Sequence, residues 1–309
     1  MPSRPPPRQT LTIADVREVL SVGCQVLDAC LRGGVRCGDI TEFVGESTAG
    51  KTQLCLQLLL TLQSQYSGGA NALYIHTEGH YPGRRLQELA VVRRDALAAI
   101  GEPGSNNSFS IDHIFVEAIQ TPDELLDFLK DRLPSLLHTS TKPLKLLIID
   151  SIAALFRTEY DNTTAELGRR TKVLFQVASQ LKKFAEREGA AVVIINQVVD
   201  FFEAADKDFQ GQSQIGNLES METSGRRVAP ALGLAWSNCI STRIFLSRVG
   251  QVMTLDTKRE GETAGSNKVE EPKSVVRRRM QVVFSPCLPP QSRNFVVTTL
   301  GLQGLRPAS

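Results

Sequence analysis

Five short runs of apolar, β-prone residues recur through the first two-thirds of the chain: "DITEFV" (39–44), "NALYIHTE" (71–78), "HIFVEAI" (113–119), "LKLLIID" (144–150) and "AAVVIINQ" (190–197). They are mostly uninterrupted rather than alternating with polar residues, the pattern of strands covered on both faces. Stretches with helical signals lie between them. Lys51 to Gln65 places Leu54, Leu58 and Leu62 at i, i+4 and i+8. "TPDELLDFLKDRL" opens with Thr121 as a cap, Pro122 in the first turn and Glu124 at the third helical position. Residues 169–188 form another amphipathic helix, closed by Gly189. Parallel strands need crossover connections, so this alternation leaves one architecture: an α/β fold, mostly parallel, with helices on both faces of the sheet.

The pattern changes after residue 197. Residues 198–229 carry Gly, Gln, Ser, Asp and Lys without period, and read as one loop far longer than an ordinary connection. Beyond it, "CISTRIFLSR", "RRRMQVVFS" and "NFVVTTLGL" are strand-like with no helix between them, which predicts antiparallel additions at the sheet edge. The polar stretch 251–275 reads as a hairpin or loop, and Arg277 to Arg279 as residues flanking an edge strand. The proline-rich segment 1–19 is set apart from a core over residues 20–305. No apolar stretch reaches the eighteen or so residues of a membrane helix, and "MPSRPPPRQT" has no apolar signal core. Cytoplasm or nucleus is therefore expected. Six cysteines without a C-x-x-C pair, and four histidines not spaced as their partners, point to reduced thiols rather than a metal site. A net charge of +2 implies no globally basic field, so any contact with nucleic acid has to come from local loops.

The chemistry begins where the first run meets the first helix. "GESTAGKT" (45–52) matches G-x-x-x-x-G-K-[ST] between a strand and a helix. Backbone N–H groups of Glu46, Ser47, Thr48, Ala49, Gly50, Lys51 and Thr52 would form a concavity for phosphate oxygens. Gly45 and Gly50 allow the close approach, Lys51 would neutralise the β- and γ-phosphates of ATP, and Thr52 would ligate Mg²⁺. Such a site needs a carboxylate at the end of an apolar strand for the metal shell, and "LLIID" supplies Asp150. Glu78 ends "ALYIHTE", where it could polarise an attacking water; the alternative is an ordinary surface glutamate. Gln197 ends "VVIINQ" directly before the long loop, where it either senses the γ-phosphate and orders the loop or is merely solvated. Phe201, Phe202 and Phe209, with Lys207, Arg226 and Arg227, give that loop the stacking and cationic groups of a single-stranded DNA site. A partner-binding loop remains the alternative.

The order GESTAGKT, "LYIHTEG", "LLIIDSIAALFRTEYD", "VVIINQV" and a long loop resembles the RecA-type core of eukaryotic strand-exchange recombinases over roughly residues 20–305. "LSVGCQVLDACLRGG", "SGRRVAPALGLAW" and "VVFSPCLPP" narrow the resemblance to a paralogue branch of that family. It implies a RecA-type ATPase core, ATP and Mg²⁺ as cofactors, and nuclear work in homologous-recombination repair and meiotic recombination. It also implies water activation by Glu78, phosphate sensing by Gln197, and an adenine contact from Arg84 or Arg85. Residues 158–170, with Arg169 and Arg170, and residues 198–229 would be the DNA-facing loops, and the segment near Ser285 and Pro286 would cap a neighbouring subunit's nucleotide.

Three differences point away from a filament-forming enzyme. The loop begins at residue 45, leaving no room for the family's preceding helical domain; no Phe-x-x-Ala linker motif precedes Phe43; and "EYDNTTAELGRR" lacks the glycine-flanked arginine. Phe175-Gln-Val-Ala178 matches the linker motif by letters only and reads as helix core. The expected partners are the "C" paralogue of the recombinase as heterodimer, the recombinase filament, and single-stranded or branched DNA, with no membrane. A weak DNA-stimulated ATPase and an ATP-stapled structural adaptor both remain open. A helicase or small-molecule kinase lacks its further domain or lid arginines.

Overall fold

A computed structural model describes residues 17–66, 69–99, 110–157, 163–200, 221–255 and 273–306. In chain order the elements are β1 (Val19–Leu20), α1 (Gln25–Cys30), β2 (Val35–Arg36), β3 (Ile40–Gly45), α2 (Lys51–Gln65), β4 (Asn71–His76), α3 (Gly83–Ala99) and β5 (Ile114–Ala118). Next come α4 (Pro122–Asp127), a π-helical segment (Phe128–Arg132), α5 (Leu133–Thr139), β6 (Leu144–Asp150), α6 (Ile152–Leu155), α7 (Thr164–Glu188) and β7 (Ala191–Asn196). The last part holds β8 (Val198–Asp200), β9 (Met221–Thr223), β10 (Arg226–Pro230), α8 (Gly233–Ser237), β11 (Thr242–Leu255), β12 (Lys273–Phe284), β13 (Ser292–Thr298) and β14 (Gly301–Gly304).

The five apolar runs became β3, β4, β5, β6 and β7, all in one nine-stranded sheet of order β14-β13-β12-β11-β3-β7-β6-β4-β5. Every residue of β3 and β7 is buried, including the polar Thr41, Glu42 and Asn196. Side chains alternate between two cores: Ala72 and Tyr74 of β4 face α2 and α3, whereas Leu73 and Ile75 face α4 and α7. β5 is the exception, an edge strand with Val116 exposed. The C-terminal wing also differs from expectation. β11 lies parallel to β3, and only β12, β13 and β14 are antiparallel additions. Arg277, Arg278 and Arg279 sit within β12, between two strands rather than beside an edge.

The helix signals hold with shifted ends. The Thr121 hydroxyl accepts from the Glu124 amide as an N-cap, and the Glu124 carboxylate accepts from the amide of Gln120. α7 starts five residues earlier than its apolar period suggests, because the Thr163 hydroxyl caps the Glu166 amide, and Gly189 closes it at φ 56°. Phe175 on this helix is 48 % exposed, so it is not core as its sequence context suggested. α2 is buried all round. Its Gln57 stays satisfied there by donating to Val22 O at 2.7 Å and accepting from Leu302 N at 2.8 Å, which ties both chain ends to the central helix.

Residues 198–200 and 221–229 are not part of one irregular loop. They form a separate antiparallel sheet, β8-β10-β9, seated on a small core of Val44, Met221, Val228 and Phe245. Residues 201–220, with Phe201, Phe202, Lys207 and Phe209, lie outside the described residues, as do 158–162 and 256–272.

Candidate functional site

β3 ends at Gly45 and α2 begins at Lys51, so residues 46–50 turn a buried strand into a buried helix. Two glycines permit this. A Cβ on Gly45 would lie 2.2 Å from the Leu246 carbonyl oxygen on neighbouring β11, and Gly50 has φ 103°. Thr48 also adopts φ 65°, uncommon for a β-branched residue and of the kind that gathers at ligand sites. The first-turn amides of α2 have no side-chain cap, since the N-cap is glycine, and no acidic residue follows in that turn. Unpaired amides at the positive end of a fifteen-residue helix call for an anion.

Lys51 supplies the matching charge. Its ammonium donates to the carbonyls of Gly45 and Glu46, each at 2.7 Å. Burial holds its pKa below the ordinary lysine value, outweighing the opposite pull of Asp150 and other nearby anionic groups. A phosphate bound beside it would remove that penalty. Asp150, the last residue of β6, accepts on Oδ2 from the Thr52 hydroxyl at 2.7 Å and the Tyr74 hydroxyl at 2.8 Å. Burial first, and then the charge of Asp150, push the Tyr74 phenol far above its usual range, so it remains a donor. Thr52 and Asp150 thus place hard oxygen ligands in contact. Among the described residues no group of three or more His, Cys, Asp or Glu could hold a metal. A pair of oxygens beside a phosphate cradle suits Mg²⁺, which keeps waters and shares phosphate ligands, better than it suits an all-protein metal cage.

Glu78 and Gln197 follow β4 and β7, and the sheet brings them together. Gln197 Nε2 donates to Glu78 Oε2 at 2.9 Å and to Ser151 Oγ at 3.3 Å. Arg157 pairs with Glu78 at 3.6 Å and donates to Gln197 Oε1. One cleft of about 1010 Å³ contains Lys51, Thr52, Glu78, Asp150 and Gln197, and its rim adds Arg226 and Arg278. Arg85 does not line it. Its guanidinium bonds Gln53 Oε1 at 3.1 Å and the carbonyls of Thr298 and Thr299 at 2.9 and 3.2 Å, while Arg84 pairs with Glu88 on the surface. Ser285 and Pro286, expected to meet a neighbouring subunit's nucleotide, lie in the bend directly after β12.

The residues expected to meet DNA scatter. Arg169 and Arg170 are on helix α7 rather than in a loop, and Arg169 pairs with Asp123 at 3.4 Å. Arg226 faces the phosphate cleft, paired with Glu46 at 3.3 Å and Asp200 at 3.0 Å. Arg227, its neighbour on β10, is exposed. Ser151, Arg157 and Arg278 line the cleft, Tyr74 supports it from the core through Asp150, and none of the four was singled out for the site from the sequence. Tyr74 reads as one more apolar residue of a strand, and Arg278, whose Nε donates to Thr48 O at 3.1 Å, was hidden in a run of three arginines.

The Rad51 family model matches residues 16–218, a span that holds the phosphate-binding turn, Glu78, Asp150 and Gln197. The chain belongs to the Rad51 family. It is similar to the DNA repair protein XRCC3 homolog of Arabidopsis thaliana, 40 % identical over 303 residues and covering 96 % of each chain. It is similar also to the DNA repair protein XRCC3 of Bos taurus, 32 % identical over 302 residues, 96 % of this chain and 78 % of that one. With the DNA repair protein RAD51 homolog 1 of Arabidopsis thaliana the identity is 29 % over 294 residues, 94 % of this chain and 70 % of that one. Family and fold accord with the RecA-type paralogue that the motifs resemble.

Proposed function

We propose that the chain is an ATP- and Mg²⁺-binding subunit of homologous-recombination repair, including meiotic recombination. It would work in the nucleus beside a second Rad51-family paralogue, the "C" paralogue being the expected one, on single-stranded or branched DNA and on the recombinase filament. The repair role draws on what its relatives are named for. The observation that carries the biochemical part is one cleft in which an uncapped helix start, a half-buried lysine, the Thr52–Asp150 pair and the Glu78–Gln197 pair converge.

Backbone amides of residues 46–52 and the Lys51 ammonium bind and orient the phosphates. Thr52 and Asp150 would hold Mg²⁺, which when bound neutralises phosphate charge. Glu78 is the base that orients water and takes its proton. Since it is engaged by Gln197 and Arg157, it must exchange those partners to act, which supports slow turnover. Gln197 leads directly into β8, so a phosphate that draws its amide away from Glu78 moves the start of that strand. The test is single-stranded DNA affinity with and without ATP–Mg²⁺, using the chain with its paralogue partner. Tighter binding with nucleotide is expected, and identical affinities would count against the coupling. An ATP staple without hydrolysis is separated by Glu78→Gln, since repair that survives this change favours the staple.

A further inference from the structure

The phosphate-binding turn is fastened to the β9–β10 hairpin by one side chain. Glu46 Oε1 accepts from the hydroxyls of Thr223 at 2.6 Å and Ser224 at 2.9 Å, and Oε2 pairs with Arg226 at 3.3 Å. Its side chain is only 11 % exposed. Burial alone would raise its pKa, but the two hydroxyl bonds, together with the charges of Arg248 and Arg226, outweigh it and hold the carboxyl below its ordinary value. The hairpin conforms to this contact. Its two-residue turn has positive φ at both positions, 51° at Ser224 and 75° at Gly225. A serine is strained where Gly, Asn or Asp is usual, yet it puts a hydroxyl on Glu46.

The same hairpin reaches the other end of the cleft. β10 pairs with β8, placing Val228 opposite Asp200 and Pro230 opposite Val198, and Val198 is the residue after Gln197. The three-stranded sheet is therefore attached to the cleft twice, at Gln197 and at Glu46. Glu46 contributes its backbone to the phosphate-binding turn and its carboxylate to the hairpin, so a change in the turn is passed to the hairpin without an intermediary.

We infer that Glu46 is a positioning residue that couples occupancy of the phosphate-binding turn to the placement of the β8–β9–β10 sheet. The coupling rests on the reading of the cleft as a nucleotide site. Linkage then makes it reciprocal: bound nucleotide steadies the hairpin by the factor by which a fastened hairpin tightens nucleotide.

The experiment uses the full chain with a slowly hydrolysed ATP analogue and Mg²⁺. Amide exchange is followed at residues 221–230, and analogue affinity is measured in the wild type and in the double variant Thr223→Val, Ser224→Gly. Glycine at 224 relieves the strained φ, so if the contact only stabilises the hairpin, the variant binds analogue as the wild type does. If Glu46 couples, the analogue slows exchange of the wild-type hairpin by about fivefold or more, and the variant loses affinity by the same factor. In the variant the analogue no longer protects the hairpin. Glu46→Gln, which keeps an acceptor for both hydroxyls but loses the charge facing Arg226, is expected to fall between. Analogue binding with no hairpin response, or with equal affinity in the double variant, overturns the inference alone. No analogue binding to the wild type overturns the nucleotide reading and the inference together.

Discussion

Beneath the phosphate-binding strand lies a charge that cannot reach water, and removing its partner should be the most damaging single change in the sheet. Arg243 on β11 is 1 % exposed and its Nε donates to Glu42 Oε2 of β3. Among the described residues its two terminal nitrogens have no hydrogen-bond partner, and the guanidinium lies 5.2 Å from the centre of the Phe284 ring. Glu42 is better served: Oε1 also accepts from Asn196 at 2.7 Å and Trp236 at 2.9 Å. Glu42→Gln keeps the shape and one acceptor but leaves a buried cation with no counter-charge, costing about 3–5 kcal/mol. Glu42→Ala also orphans the Asn196 and Trp236 donors, at about 1–3 kcal/mol each. Against a stability of about 5–15 kcal/mol, Glu42→Ala should yield little folded protein. Arg243→Met leaves a carboxylate still bonded by two donors, and should cost less than Glu42→Gln. The Glu42→Gln, Arg243→Met pair should be more stable than Glu42→Gln alone. Urea unfolding of the four soluble forms, read by far-UV circular dichroism and Trp236 fluorescence, measures the order. A loss below about 1 kcal/mol in Glu42→Gln, or a larger loss in Arg243→Met, would refute the reasoning.

Three further outcomes follow from the cleft. Asp150→Asn removes the negative charge of the Thr52–Asp150 pair and one of its carboxylate oxygens, so the Mg²⁺ concentration needed for half-maximal ATP binding should rise roughly tenfold, a titration that checks the metal assignment. Glu78→Gln should lower kcat for ATP hydrolysis by about 10²–10⁴-fold with little change in KM, and an unchanged kcat would remove Glu78 from the chemistry. The Glu46 carboxyl is held below its ordinary value of 4.5. A depressed carboxylate contributes its stability above the unfolded pKa and loses it as pH falls through the folded one. Thermal melts should therefore show a difference between wild type and Glu46→Gln that is constant near neutrality and shrinks only below about pH 4.5.

What could be read from the sequence divides along physical lines. β3, β4, β6 and β7 were legible because strands buried on both faces leave no polar alternation, and α4 because Thr121, Pro122 and Glu124 are a local signal that needs no tertiary context. The strand-to-helix turn at 45–50 was legible for the same reason: Gly45 and Gly50 stand five residues apart and act through their own backbone, with Lys51 directly after them. Side chains that meet only through the fold were harder. Arg157 reaches the cleft, and Tyr74 reaches Asp150 beneath it, from segments whose sequence shows no polar pattern pointing there. Arg226 looked like a loop cation because nothing local shows that β10 returns it to Glu46, 180 residues earlier. β11 was read as antiparallel because no helix separates it from β12, but its pairing with β3 depends on the long connection before it, which carries no periodic signal.

Calorimetric titration of the chain with ATP–Mg²⁺, beside a folded Lys51→Ala variant, bears on the nucleotide site more directly than any other measurement. One saturable site per chain is expected, weakened by Lys51→Ala about tenfold or more, because a charged contact to phosphate is lost from a half-buried lysine. Wild-type protein that releases no binding heat across the range, or a Lys51→Ala variant that binds as tightly, would contradict it.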